Sequence, residues 1–274
     1  MMEKKALLSL SFDDGRRDNY DIIKKTMIPM HLPVTINITT GYVDGTCTEE
    51  NKPSSKPALI KSEIIELFEE PLVEIALHGD QHLNTEEDIT IGRNKLLEWF
   101  HLPEDTKFGF ASPGSGLSVT DFIKSESTFF KNDILYLRTS LRISSKGKLR
   151  ILCRKVGRII HAPILYKIAY TDTIMNAVEN RVIYSIPVLK DVSVSQVEAV
   201  IDECIKQKGA LTLMFHSIAE DVSSDDNWSW SKNKFEQLCR YLVHKQELGV
   251  LEICTTKDLY EKICKEPSKR DCMI

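Results

Sequence analysis

Asp13 and Asp14 stand side by side in Ser11-Phe12-Asp13-Asp14-Gly15, directly after an apolar run. Two adjacent carboxylates repel each other unless a cation offsets their charge, and with a cation present one can bind it while the other serves as a base. Alone, the motif equally describes a solvated Asp-Gly turn. A second group is His78-Gly79-Asp80-Gln81-His82. Imidazoles at i and i+4 can converge on one metal from a helical turn or a curved loop. Without Glu after His78 it is not the zinc-protease helix H-E-x-x-H. A third group is the apolar run 211–215 ending in His216, a side chain that titrates near neutrality and can protonate a departing amine. A fourth is the Gly/Ser/Pro loop from Ser112 to Gly116, whose backbone N–H groups can face a developing oxyanion.

The elements that must position these groups alternate. Residues 6–12 read as a buried strand, 18–27 as a helix, 34–38 as a strand, 40–57 as a loop, and 61–70 as a helix. Then come a strand at 73–77, a helix at 86–100, a strand at 108–111 and the loop 112–118. Further on, strands at 182–188, 210–215 and 249–254 alternate with helices at 194–206, 235–244 and 256–264. Such alternation implies a parallel sheet or barrel with helices outside. In parallel strands the C-terminal ends share one rim, so the groups after strands at 13–14, 78–82, 112–116 and 216 are expected on the same side, where α/β active sites form.

The chain has 274 residues with 42% hydrophobic and 28% charged residues, as for a globular protein, and a single domain over 1–274 is expected. Net charge is -4, which gives no footprint for nucleic acid. The charge is uneven: 137–181 carries +8 and the rest -12, so this stretch is read as a basic elaboration within the domain. Either it is an ordinary solvated insertion, or it meets a diphosphate or an anionic membrane face. Seven cysteines, with no C-x-x-C, suggest reduced thiols. The first residues lack a signal-peptide core and no run reaches the roughly 20 apolar residues of a spanning helix, so the expected location is the cytoplasm.

In this order, the motifs resemble the polysaccharide deacetylase family, also called the NodB homology domain or carbohydrate esterase family 4, from about residue 6 to about 259. The T/S-F-D-D-G motif is Ser11 to Gly15, the H-x-x-x-H motif is His78 to His82, the Pro-containing loop surrounds Pro113, and the late strand ends in His216. The resemblance implies an α/β fold, a distorted (β/α)7 barrel. It implies Asp13 as general base, Asp14, His78 and His82 as ligands of a divalent metal, usually zinc, His216 as general acid and the Gly114 N–H as oxyanion donor. The implied activity is removal of an N-acetyl group from a sugar or glycan precursor.

The sequence departs from the family at several points. Ala111 stands in place of the loop Arg that orients the base, Gly114 in place of a Tyr, and Leu83 in place of a Pro. Asp191-Val192 lacks the Trp of the segment that supports the late histidine. Arg138 is the candidate for the missing cation. Ser112, Pro113, Arg138, Trp228 and Trp230 are taken as substrate contacts, the two tryptophans as walls for a sugar ring. Two alternatives stay open: a hydrolase of a non-sugar amide, and a catalytically inactive sugar- or metal-binding module. The oligomeric state is left open.

Overall fold

The computed structural model describes residues 4–124, 130, 133–140, 148–220, 222 and 226–264. Arg142 and Lys146 of the basic segment and Cys272 lie outside the described residues.

Seven parallel strands close into a barrel: β1 (Ala6–Phe12), β2 (Val34–Ile38), β3 (Val73–Leu77), β4 (Phe108–Ala111), β5 (Ile134–Ser140), β6 (Val182–Pro187) and β7 (Ala210–Phe215). Three later strands are β8 (Ser217–Ala219), β9 (Ser229–Ser231) and β10 (Leu251–Cys254). β7 pairs with β1 from Leu7↔Ala210 to Phe12↔Phe215. The other edge of β1 is shared. Its first half pairs with β10 (Ala6↔Leu251 to Ser9↔Cys254), and only Ser11 and Phe12 pair with β2. β10 is thus a wedge at the bottom of the barrel, and β3 touches β4 through the single pair Leu77↔Phe110. This is the distorted (β/α)7 barrel implied above.

Around it lie α1 (Asp18–Ile22), which continues as a π-helical stretch (Ile23–Met27), α2 (Thr40–Asp44), α3 (Lys61–Phe68), α4 (Glu86–Phe100) and α5 (Val119–Lys124). They are followed by α6 (Lys148–Ile159), α7 (Pro163–Tyr170), α8 (Val194–Gln207), α9 (Lys232–Glu247) and α10 (Thr256–Ile263). The loop expected over 40–57 therefore opens with a short helix.

Strand alternation explains the two sides of the wall. On β1, Leu8, Leu10 and Phe12 join the apolar layer beneath the helices, where Phe12 stacks on Phe215 at 5.3 Å and meets Phe235 edge-on. Ser9 and Ser11 alternate with them and bond inside the barrel: Ser9 Oγ lies 2.8 Å from Thr212 Oγ1, and Asn37 Nδ2 donates to Ser11 Oγ. The barrel axis therefore carries a buried polar ladder that leads up to Asp13.

The basic segment is not separate from this frame. Ile134–Ser140 is a barrel strand, paired with β4 and β6, so Leu137 to Ser140 belong to the wall and the elaboration proper is α6 with α7. The strand is hidden in a hydropathy pattern because Arg138 sits in its middle, and that charge is met only inside the folded barrel.

Candidate active site

The rim formed by the strand C-termini holds the four groups expected there, around a cavity of about 550 Å³ lined by Asp13, Asp14, His82, Gly114, His216 and Trp228 among others. A volume of this order suits a small-molecule site.

Asp13 and Asp14 are both buried but point to different partners. Asp14 has φ 75°, a left-handed conformation that costs a non-glycine residue about 1–2 kcal/mol. This turn aims its side chain across the rim: Asp14 Oδ1 lies 3.4 Å from His78 Nε2 and 3.6 Å from His82 Nε2. Its other oxygen accepts a 2.8 Å bond from Arg16 Nε. His82 is also left-handed, with φ 58°. His78 Nδ1 lies 2.7 Å from the Ala111 carbonyl, which can only accept, so this nitrogen donates, and in the neutral ring Nε2 is the atom left to bind an ion.

These residues fit a divalent metal. The three donor atoms of Asp14, His78 and His82 all lie within 4.8 Å of one another. Two ligands at 2.0–2.2 Å from a tetrahedral ion stand about 3.4 Å apart, close to the separations above. Two imidazoles and one carboxylate form a set that leaves further positions open, as catalytic metal sites require.

The loop between the histidines is shaped by a residue that the motif does not contain. Asp88, in the first turn of α4, accepts the backbone N–H groups of Asp80, Gln81 and Leu83. A glycine is required at 79: its φ is +81°, and a Cβ there would lie 2.3 Å from Asp88 Oδ2. Asp80 faces away from the Asp14–His78–His82 group, toward Thr40 and Lys95.

Asp13 is held from behind. Arg138 Nη2 lies 2.7 Å from both of its oxygens, and Asn37 Nδ2 donates to Oδ1 at 2.8 Å. Burial would raise the Asp13 carboxyl, but Arg138, then His78 and His216, outweigh it and hold the group below the usual carboxylate range. Asp14 is likewise lowered: His216, His78 and Arg16 overcome the effect of burial. For His78, burial is outweighed by the two carboxylates, so it holds a proton more firmly than usual. His82 is pushed down to about 4 by burial and by its neighbour His78.

His216 stands across the cavity, its Nε2 4.0 Å from Asp13 Oδ2. Burial lowers its pKa, and its Nδ1 is buried without a hydrogen-bond partner among the described residues. Its backbone is clamped by Asn19, which donates to the His216 carbonyl and accepts from the Ile218 N–H.

The substrate contacts inferred from sequence divide. Trp228 lines the cavity, with its ring 4.4 Å from that of His216. Trp230 does not: it is fully buried, packs on Phe215, and donates from Nε1 to the Val192 carbonyl. The pairing of β8 with β9 (Ile218↔Trp230) turns the second tryptophan into the core, leaving the first at the rim. Arg138 is buried and faces Asp13 rather than the cavity, so it is a positioning residue and not a substrate contact. Pro113 is buried at the start of a 3-10 turn, and its carbonyl accepts from Asn84. Ser112 reaches the cavity, yet its hydroxyl is engaged with Asn84 and with the Leu117 N–H. Gly114, φ +54°, borders the cavity. Asp191 is paired with Arg158, not with His216.

Sequence analysis missed Arg16, Asn19, Asn37 and Asp88. Asn37 carried a signal, since Thr35 and Asn37 alternate with Val34, Ile36 and Ile38 and mark the inward face of a strand. The other three act through loop and helix geometry that has no such period.

No family model matches the sequence, and no curated protein matches it. Solved structures do match in fold. A candidate polysaccharide deacetylase from Mycobacterium smegmatis superposes with TM-score 0.56 at 12% identity, over 96% of this chain and 92% of that one. A family 4 acetyl xylan esterase from Clostridium thermocellum, solved with a cobalt ion, matches at TM-score 0.48 and 13% identity over 93% and 91%. A polysaccharide deacetylase from Bacillus cereus matches at TM-score 0.36 and 19% identity over 48% of this chain, and the match spans only 39% of that protein's length. The likeness to the Mycobacterium smegmatis structure, at 12% identity, establishes the fold alone: a (β/α)7 barrel of the polysaccharide deacetylase type.

Proposed function

We propose that this chain is a metal-dependent hydrolase that removes an acyl group, acetyl, from the nitrogen of a sugar or glycan precursor. The observation that supports it most is one cavity holding three things: Asp13 gripped by Arg138, the Asp14–His78–His82 cluster beside it, and His216 across from it.

Asp14, His78 and His82 would hold the ion, with zinc as the proposed species. When bound, a divalent metal supplies charge that polarises an amide carbonyl and makes a water more acidic. Asp13 is ionised at neutral pH, and because Asn37 and Arg138 both occupy Oδ1, Oδ2 keeps the greater capacity to accept the water proton. The Gly114 N–H, at the cavity edge, is the proposed donor to the oxygen that develops charge. His216 delivers a proton to the departing nitrogen. Burial disfavours its charged form, so it releases that proton readily. Trp228 offers an apolar ring face beside His216, suited to a sugar ring.

The test is acetate release from a panel of N-acetylated sugars and small amides, with metal content measured on the same preparations. Release from a sugar, abolished by Asp13→Asn with metal retained, is the expected outcome. Release from small amides alone overturns the sugar assignment. Bound metal with no release from any substrate overturns the enzyme assignment in favour of a binding module.

A further inference from the structure

The helical pair α6–α7 is mounted with an apolar side outward. On α6, Leu149, Leu152, Val156 and Ile159 recur at spacings of three and four, and so share one face. In an ordinary surface helix that stripe is buried. Here Leu149 is 70% exposed and Ile159 76% exposed, while Cys153 and Gly157, which flank the stripe, are buried. Ile160 follows, and on α7 Ile164 and Ile168 add a second exposed stripe one turn apart. The inversion is held in place from beneath. Gly157 lets α7 pass so close that a Cβ would lie 3.0 Å from Leu165 Cβ, Gln196 bonds the Gly157 carbonyl, and Arg158 grips Asp191 through two nitrogens.

The charge of this pair is one-sided. Residues 148–171 contain six Lys or Arg and no Asp or Glu. Arg150, Arg158 and Lys167 are paired with Asp172, Asp191 and Glu203, but Lys155 is exposed with no acidic partner among the described residues. Exposed Leu and Ile flanked by cations are the chemistry of a helix that lies in the surface of an anionic bilayer. No helix among the described residues is long and apolar enough to cross a membrane, so the contact lies along the surface.

We infer that α6–α7 docks the chain onto an anionic lipid bilayer, beside the mouth of the cavity. The link to the site is direct, since Ile151 and Arg154 of α6 line the same cavity as Asp13 and His216. The substrate class that follows, resting on the deacetylase proposal, is an N-acylated sugar carried on a membrane lipid.

The full chain is sedimented with vesicles of phosphatidylcholine alone and of phosphatidylcholine mixed with phosphatidylglycerol. It should bind the mixed vesicles, bind the neutral ones far less, and lose binding as salt rises. The double substitution Ile159→Glu with Ile164→Glu places charges on exposed positions, so the melting temperature should hold while vesicle affinity drops by about tenfold or more. No binding by the native chain, or equal binding by the variant, overturns the proposal. So does a native dimer that the variant dissociates, because a second copy then covers the face. Binding is read without turnover, so an inactive protein that binds vesicles counts against the deacetylase proposal alone. For the substrate, acetate release from a vesicle-borne N-acetylglucosaminyl lipid should rise several-fold when phosphatidylglycerol is added. Equal rates, or release from soluble N-acetyl sugars with none from the lipid, overturn the lipid-linked assignment.

Discussion

The guanidinium of Arg138 grips both carboxylate oxygens of Asp13 at 2.7 Å, across 125 positions of chain. Ala111, which stands where the resemblance calls for a base-orienting Arg, is the register partner of Arg138 across β4 and β5. The cation is therefore present in the barrel, one strand over from its expected place.

Removing it should expose how much it holds. Arg138→Met leaves a buried, uncompensated carboxylate and is expected to cost about 3–5 kcal/mol, read by urea unfolding. Because Asp13 lies below its ordinary value in the fold, its ionised form contributes stability above the unfolded carboxylate value, and this is lost as pH falls through the folded one. Without Arg138, burial dominates and the group titrates higher. The acid limb of the kcat/KM profile should move to higher pH, with Arg138→Lys restoring part of the shift. An unmoved limb in the Met variant would show that Asp13 is not the base.

Metal binding should strengthen with pH. His78 holds its proton more firmly than a free imidazole and must release it to bind an ion, whereas His82, at about 4, is already neutral. The rise in melting temperature on adding zinc should therefore grow as pH climbs upward from the ordinary imidazole midpoint of about 6.5, because His78 is raised above that value. His78→Ala should abolish both the rise and turnover, while Asp13→Asn keeps the rise and loses turnover. A zinc effect that is flat across this range would contradict the assignment of His78.

Asp88 is expected to matter for the metal without touching it. Asp88→Ala frees two N–H groups of the loop between the histidines, those of Asp80 and Gln81, and that of Leu83 just after it. Partners that orient metal ligands are worth about 10–100-fold in affinity, and a loss of that size is expected from competition with a chromogenic chelator. Wild-type affinity in a folded Asp88→Ala protein would mean that the loop keeps its shape unaided.

The two tryptophans should part company. Trp228 is 44% exposed beside His216, so Trp228→Ala should leave the melting temperature nearly unchanged and raise KM for a sugar substrate by about tenfold, the order of one lost stacking contact. Trp230 is fully buried, and Trp230→Ala should cost about 3–5 kcal/mol of stability. A stable Trp230→Ala protein with impaired KM would reverse the two roles.

From the sequence by itself came the alternation of strands and helices and the gathering of Asp13, Asp14, His78, His82 and His216 at one rim. Both follow from local rules: side-chain period marks the strands, and parallel strands must carry their C-terminal ends to the same side. What the tertiary structure decided is everything set by register and facing. The pairing of β4 with β5 turned a cation of the basic segment into the partner of Asp13, and the pairing of β8 with β9 sent Trp230 inward and left Trp228 at the cavity. α6 has the pattern of a core-facing helix, yet its apolar stripe faces out. Periodicity shows that a helix has two faces, but only long-range packing determines which one the protein covers.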